Sequence, residues 1–234
     1  MQFRTKARAV DLLGKGQIAD LPTAITELWK NGYDAYADNL KAELFKEGFN
    51  GIKKSYFIIS DDGKGMSGSD ILDKWLVLGT DSKSREKLDE ESEDTLWKKP
   101  RIKAGEKGIG RLSVAYLGNP MLMLTKKIGY PLQALYFDWR LLENYNLFLD
   151  DINIPLRSVD NLSSLTTIFK DLKKDFLSNF DKEFDFDNKP VWEGKQIELK
   201  SEIIDDANKA ILEKPILDNI FSFFNSEDSH GSIF

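Results

Sequence analysis

The sequence contains no cysteine and only one histidine among its 234 residues. Without cysteine there can be neither a disulfide framework nor a thiolate metal site. The histidine, His230, lies near the C-terminus, which excludes a serine–histidine triad or a histidine metal cluster within the body of the chain. We expect His230, which lies in a polar tail, to be a solvated surface residue.

Long hydrophobic runs are also missing. No segment approaches the length that spans a bilayer, and no apolar stretch of the kind found in signal peptides follows the charged N-terminus. We therefore expect a cytoplasmic protein without a membrane partner. The 41% of hydrophobic and 12% of aromatic residues still provide a sizeable core, in a chain long enough for one large domain or one domain with an extension.

The charge is unevenly distributed. A net charge of −6 argues against broad nonspecific binding of nucleic acid, so a nucleic-acid partner is possible but not indicated. A basic stretch at 98–111 follows an acidic run at 89–94. Two interpretations remain open: the pair forms a solvated loop, or its basic residues contact phosphates.

The first half of the chain alternates between helical and strand patterns. Apolar residues recur at helical spacing over 20–46, and Asp20 and Pro22 are typical of a helix start, so we predict one long helix. Residues 55–60 are β-branched and aromatic, which predicts a strand that runs into a glycine turn. A short helix is predicted over 69–78.

The middle of the chain begins with a long polar segment. Residues 79–104 have no periodicity, which is typical of a mobile lid or binding loop. A helix is predicted over 108–117, followed by strands at 120–127 and 130–139 joined by a tight turn. Residues 166–169 are predicted to form a further strand.

From residue 173 onward the pattern is helical, with breaks at Pro190 and Pro215, and an apolar segment at 216–224 precedes the polar tail. Strands with interleaved helices indicate an α/β, or α+β, two-layer sandwich with helices on one face of a mixed sheet. We predict one domain over 1–172 and a mainly helical extension over 173–234.

Glu27, Asn31 and Asp34 form the first of three motifs. On a helix they lie at i, i+4 and i+7, and therefore on one face. The amide oxygen of Asn31 suits Mg²⁺, and Glu27 is then near enough to orient or deprotonate an attacking water. The alternative is the polar outer face of an amphipathic helix.

The second motif begins at Asp61, which ends a strand and enters a turn containing Gly63 and Gly65. Its carboxylate can accept a hydrogen bond from an exocyclic amino group such as that of adenine. The glycines let the backbone approach a flat ring, and Met66 can form an apolar wall. The alternative is an ordinary Asp-Gly turn, since the ligand spacing of a calcium loop is absent.

The third motif is a glycine loop, Gly105-x-x-Gly108-x-Gly110, which opens the predicted helix. Backbone amides at a helix start bind phosphate, and basic side chains could add charge there. These are Lys103, Lys107 and Arg111. The alternative is the hinge of a flexible lid, and the strand that precedes a dinucleotide-binding loop is missing.

Together and in this order, the three motifs resemble the GHKL superfamily, which includes DNA gyrase ATPase subunits, ninety-kilodalton heat-shock chaperones, histidine kinases and mismatch-repair ATPases. The resemblance covers roughly residues 18–172. It implies the Bergerat ATP-binding fold and the ligands ATP and Mg²⁺. The complete Glu27–Ala35 string and the Gly79–Ser84 stretch favour the chaperone-like, hydrolysing branch.

The resemblance also implies roles for individual residues. Glu27 corresponds to the catalytic general base, Asn31 to the magnesium ligand and Asp61 to the carboxylate that reads adenine. The family often has a Gly-Thr pair on a late strand near the adenine, for which Leu165-Thr166 is the best match. The predicted nucleotide-binding residues are Asn31, Asp34, Asp61, Gly63, Gly65, Met66, Lys103, Gly105, Lys107, Gly108, Ile109, Gly110 and Thr166.

The implied function is slow hydrolysis of Mg-ATP, with nucleotide-dependent closure of the lid at 79–104 and homodimerisation that switch a partner or downstream domain. In this branch a second domain commonly supplies a lysine to the γ-phosphate. We recognise no complete domain of this kind after residue 172, and therefore expect either a fragment of a longer protein or a protein whose output lies in a partner. The alternative is a binding module that senses ATP or ADP without hydrolysis.

Overall fold

The computed structural model describes residues 4–15, 18, 20–77, 94–104 and 110–234. Most of the predicted lid at 79–104 therefore lies outside the described residues. So do four of the predicted phosphate-binding residues, namely Gly105, Lys107, Gly108 and Ile109.

Two helices open the chain, α1 (Ala7–Lys15) and α2 (Leu21–Asp34). Asp20 caps α2 by accepting a hydrogen bond from the Thr23 amide at 2.8 Å, as predicted. The prediction that this helix continues to residue 46 is wrong, because Tyr36 has a φ of 64°, which a continuing helix cannot contain.

Strand β1 (Leu40–Phe45) occupies the second half of the predicted helix. Leu40 and Leu44 are spaced by four residues, which fits a helix as well as a strand. Ala42 lies between them, so apolar and charged residues alternate over 40–44, and this period of two is typical of a strand.

The part of the chain that the structure describes forms a sheet of six strands in the order β1-β2-β6-β3-β4-β5. The five that follow β1 are β2 (Tyr56–Asp61), β3 (Met121–Lys126), β4 (Leu132–Phe137), β5 (Leu156–Val159) and β6 (Gly231–Ile233). The predictions of β2 and of the β3–β4 hairpin are confirmed. Every pairing between these strands is antiparallel, whereas the sequence predicted a mixed sheet.

The last strand lies in the middle of the sheet. β6 pairs with β2 through Ser60 and Asp61, and with β3 through residues 124–126. The prediction of a polar tail after residue 224 is therefore wrong. Three residues are too few to show a strand periodicity, although all three are buried.

Four further α-helices lie within the described residues. They are α3 (Gly68–Asp70), α4 (Leu165–Leu177), α5 (Lys195–Lys209) and α6 (Lys214–Phe223). A π-helical turn, Ile71–Trp75, extends α3, and a 3₁₀ helix, Gly110–Tyr116, replaces the helix predicted over 108–117.

The strand predicted over 166–169 is wrong, because these residues belong to α4. Their β-branched side chains suggest a strand, but the buried residues of this segment recur at helical spacing. They are Leu165, Phe169, Leu172 and Phe176.

The two faces of the sheet carry different helices. Because directly paired residues of an antiparallel sheet share a face, Asp61 lies on the same face as Ser232 and Thr125. Helix α2 packs on this face. Helix α4 packs on the opposite face, where Phe169 and Phe176 meet Tyr136 with ring centroids 5.6 and 5.4 Å away.

The predicted α+β fold of the Bergerat type is thus confirmed. The prediction of two layers with helices on one face is wrong, because α4 covers the face opposite α2. Within the part of the chain that the structure describes, no helix combines the length and apolarity needed to cross a membrane.

Candidate functional site

The first and third motifs meet at Gly110. A Cβ atom on Gly110 would lie 3.1 Å from Glu27 Oε2 and 3.8 Å from Asn31 Oδ1. The backbone at the start of the 3₁₀ helix therefore faces both polar side chains of α2. This geometry favours the predicted cavity over the interpretation of Glu27 and Asn31 as a solvated outer face.

Glu27 has a partner that the sequence analysis did not identify. Lys30 Nζ lies 2.6 Å from Glu27 Oε1, and both side chains are partly exposed. The (i, i+3) spacing of an acid and a base on a helix is the signal that could have indicated this pair. Because Lys30 occupies Oε1, the other carboxylate oxygen, Oε2, is the one that faces Gly110.

Asp34 lies at the C-terminal end of α2 and is buried. Its Oδ1 accepts a hydrogen bond from the Ala104 amide at 2.7 Å, and its backbone carbonyl accepts one from Lys103 Nζ at 3.1 Å. Asp34 thus fixes the segment that leads into the third motif. The structure brings Asp34 and Lys103 together, one turn of α2 beyond Asn31.

Lys98 and Arg101 bind the end of α2. Lys98 donates to Tyr36 O at 2.6 Å, and Arg101 donates to Tyr33 O at 3.1 Å and to Ala37 O at 2.9 Å. Positive charge at a helix C-terminus complements the exposed carbonyls and the helix dipole. In this conformation these side chains are therefore neither a freely solvated loop nor free to contact phosphates.

The second motif forms a tight turn against α2 and β3. Gly63 N donates to Asp61 Oδ1 at 3.0 Å, and a Cβ on Gly63 would lie 2.7 Å from that oxygen. Gly65 has a φ of +62°, and a Cβ there would lie 1.9 Å from Lys126 O. Both positions consequently require glycine.

Asp61 is in an unusual electrostatic environment. Burial raises the pKa of this carboxyl to about 6, against the lowering effects of the Gly63 amide and of His230. The negative charge of Asp62 also contributes to this rise. A carboxyl group of this kind, beside a glycine turn, is a candidate for a binding role.

Strand β6 places a glycine and a hydroxyl group beside Asp61. Ser232 is the direct cross-strand partner of Asp61, and its Oγ lies 2.9 Å from Thr125 Oγ1. Thr125 Oγ1 also accepts from the Met66 amide at 3.0 Å. These contacts join β2, β3, β6 and the glycine turn into one polar cluster.

Gly231 and His230 complete this cluster. Gly231 has a φ of +122°, and a Cβ on it would lie 2.1 Å from Asp61 O. His230 Nδ1 lies 2.7 Å from Gly63 O, and because a carbonyl only accepts, the imidazole is the donor. The prediction of a solvated His230 is therefore wrong, since the residue is partly buried against the turn.

Gly231-Ser232 is the pair that lies on a strand beside Asp61, where the sequence predicted Leu165-Thr166. Thr166 is exposed in the first turn of α4, on the sheet face opposite Asp61, so the structure does not bring it to the cleft. The available signal was a Gly-Ser pair followed by two apolar residues, Ile233 and Phe234. That run is too short to be recognised as a strand.

Magnesium fits the residues at the first motif. Among the described residues there is no group of three or more acidic or histidine side chains that could hold a metal by itself. Mg²⁺, however, commonly uses one or two protein oxygens together with substrate phosphates and water. Asn31 Oδ1, beside Glu27 and the Gly110 backbone, is a donor of the right type.

The sequence was also compared with known proteins. Residues 19–168 match the histidine kinase-, DNA gyrase B- and HSP90-like ATPase family. A comparison with curated proteins found no match. The matched region contains all three motifs and ends before β6. Since the match covers more than half of the chain, the protein belongs to the histidine kinase-, DNA gyrase B- and HSP90-like ATPase family of the GHKL superfamily, whose members bind ATP.

Proposed function

We propose that this protein binds Mg-ATP in the cleft between α2 and the Asp61 turn and hydrolyses it slowly. The observation that carries the proposal is the arrangement along α2. Glu27 and Asn31 meet the start of the 3₁₀ helix at Gly110, while Gly32 allows the same helix to pack against Asp61. The end of the cleft at Gly110 thus suits phosphates, and the end at Asp61 suits the adenine ring.

Asp61 recognises adenine in this proposal. Its carboxylate accepts a hydrogen bond from the exocyclic amino group, and guanine has a carbonyl oxygen at the corresponding position. The hydroxyl groups of Ser232 and Thr125 lie on the same face and can bind the ring nitrogens directly or through water. Gly65 and Met66 line the ring.

Asn31 provides the protein oxygen for magnesium. When bound, Mg²⁺ neutralises charge on the phosphate oxygens. The chain also contributes the backbone at Gly110, which begins a helix and faces Asn31. The predicted role of residues 105–109 as the remainder of the phosphate loop is part of this proposal.

Glu27 acts as the general base. Its Oε2 faces Gly110 and can accept a proton from the water that attacks the terminal phosphate. Its Oε1 is bound by Lys30. Holding one oxygen in an ion pair limits the freedom of the carboxylate to align with the water, which is consistent with slow turnover.

Asp34 holds the C-terminal end of the segment at 79–104 next to the third motif. Asp34 and three basic residues fix the C-terminal end of that segment to α2, next to the third motif. We propose that the triphosphate closes this segment over the cleft, and that closure favours a homodimer able to switch a partner or downstream domain. This is the behaviour of the chaperone-like branch.

A non-hydrolysing ATP sensor is the second candidate, and the Lys30–Glu27 pair is the observation that favours it. The two functions differ in steady-state turnover. For the ATPase we expect Glu27→Gln to lower the rate by about 10²–10⁴-fold while ATP affinity changes little. Glu202→Gln, at an exposed position on α5, is the matched control.

ATP binding without turnover above background in wild type would identify the sensor. Equal, measurable rates for wild type and Glu27→Gln would mean that Glu27 is not the general base. The rate per molecule measured over a range of protein concentrations tests dimerisation in the same experiment. A rate that rises with concentration supports hydrolysis by a dimer, and a constant rate contradicts it.

A further inference from the structure

Strand β1 forms one edge of the sheet. It pairs with β2 on one side, and among the described residues no strand pairs with its other side. Lys41, Ala42 and Leu44 are exposed, Leu44 by 58%. An exposed edge presents unpaired N–H and C=O groups, and can therefore pair with a strand of another chain. β1 contains no proline, one of the residues that commonly block such an edge.

The hydrogen-bond pattern identifies which backbone groups of β1 face outward. Asp62 N donates to Asn39 O at 3.3 Å, so these two residues form a hydrogen-bonded pair next to the β1–β2 ladder. Hydrogen-bonded pairs alternate along an antiparallel ladder, and the odd-numbered residues of β1 are therefore the ones that bond to β2. The N–H and C=O groups of its even-numbered residues consequently point away from the sheet.

A second copy of the chain matches this edge. When two β1 strands run antiparallel about a two-fold axis at Ala42, the two Ala42 residues exchange backbone hydrogen bonds. Leu40 then lies opposite Leu44 of the second copy, so that the exposed Leu44 side chain lies beside another apolar one. The pairs of even-numbered residues form about six backbone hydrogen bonds in this register.

The same register brings opposite charges together. Lys41 and Glu43 lie one position on either side of Ala42, so each Lys41 lies opposite Glu43 of the other copy. These are non-hydrogen-bonded pairs, in which the Cα atoms are only about 4.5 Å apart and the side chains are closest. Within the part of the chain that the structure describes, neither Lys41 nor Glu43 has an ion-pair partner. Self-pairing would give each of them one.

Charged residues on an edge strand commonly protect it from pairing with other chains. Such protection against a second copy depends on like charges that meet across the strands. In β1 the two charges have opposite signs and are two residues apart, so antiparallel self-pairing brings attraction instead. The edge strand β5 lacks this arrangement, because its Arg157 already forms an ion pair with Asp175.

We propose that β1 is a self-association edge, through which two copies of this chain pair in antiparallel register about Ala42 and join their sheets. The contact is short, so the association should be reversible and weak, in the micromolar range or weaker. At the low protein concentrations of an ATPase assay the edge is therefore unpaired. This pairing requires no nucleotide and does not depend on the proposed ATPase function.

Sedimentation velocity in the absence of nucleotide tests the proposal. We expect a monomer–dimer equilibrium for wild type. Ala42→Pro removes an N–H group that the monomer does not use, and edge strands tolerate proline at such positions, so this variant should be folded by circular dichroism and monomeric. A wild-type protein that stays monomeric at about 1 mM, or a dimer that persists in Ala42→Pro, would overturn the proposal.

Charge reversal tests the register, and it does not require the proline variant to fold. Lys41→Glu and Glu43→Lys each place like charges opposite one another, and each should weaken self-association by about tenfold or more. An equimolar mixture of the two variants is the matched control, since every ion pair of the mixed dimer then joins opposite charges. The mixture should associate like wild type. A mixture that does not associate, or single variants that dimerise as wild type does, would refute this register and the proposal with it.

Discussion

Asp61 and Ser232 are direct partners across the antiparallel pairing of β2 with β6, although they come from distant parts of the chain. The pairing places a carboxylate and a hydroxyl group side by side on the face that α2 covers. The adenine end of the proposed cleft is therefore completed by a strand outside the region matched by the family. Any change that displaces β6 should affect both folding and nucleotide binding.

Gly231→Ala tests the importance of this pairing for stability. A Cβ at position 231 would lie 2.1 Å from Asp61 O, and the φ of +122° is unfavourable for alanine. We expect a loss in the free energy of unfolding of about 1–3 kcal/mol or more, measured by urea denaturation. Gly118→Ala is the control, because no atom lies within 4 Å of its added Cβ, and it should change stability by less than about 0.5 kcal/mol.

The raised pKa of Asp61 predicts a pH dependence of stability. The folded protein holds the Asp61 proton up to a pH of about 6, whereas the unfolded chain releases it near 3.8. Between these values the native state binds more protons, so the Asp61 contribution to stability falls as the pH rises.

Since each pKa unit corresponds to about 1.4 kcal/mol, this loss amounts to at most about 3 kcal/mol between pH 4 and pH 6. Asp61→Asn removes the titrating group. The difference in unfolding free energy between the variant and wild type should therefore change across this interval and be constant above pH 7. A difference that is independent of pH would show that the pKa of Asp61 is not raised.

Lys30 is expected to restrain the general base. An ion pair between partly exposed side chains is worth about 0.2–1 kcal/mol, so Lys30→Met should raise the ATPase kcat by up to about fivefold without a large change in ATP affinity. Lys41→Met, at an exposed position on β1, is the control. A fall in kcat for Lys30→Met would instead mean that Lys30 assists hydrolysis.

Asn31→Ala separates the metal site from the adenine site. If Asn31 binds magnesium, the variant should weaken ATP binding by about tenfold in the presence of Mg²⁺, the loss expected for one ligand to a charged group. In EDTA the variant and the wild-type protein should bind ATP equally. The same loss in both conditions would mean that Asn31 contacts the nucleotide directly or supports the fold.

The sequence predicted the parts of the site that lie on long, regular elements. The i, i+4 spacing of Glu27 and Asn31 is sufficient to place both on one face of α2. The strand character of 55–60 likewise places Asp61 at a strand end, and the glycines after it identify the turn. The order of the motifs predicted one shared site, but not the proximity of Gly110 to Glu27.

The parts that could not be predicted depend on long-range contacts. Strand β6 has three residues, and only its pairing with β2 and β3 defines it. Thr166 was placed in a strand because β-branched residues are common there, but the packing of Phe169 and Phe176 against Tyr136 determines the helix.

The central claim is that ATP binds at Asp61, and calorimetric titration of Asp61→Asn tests it most directly. Loss of a charge-assisted hydrogen bond in this site should cost about 1.5–3 kcal/mol, or about ten- to a hundredfold in ATP affinity. Wild type should bind ATP and ADP in preference to GTP, and Asp160→Asn, at an exposed position, should bind ATP like wild type. Unchanged ATP affinity in Asp61→Asn would contradict the account.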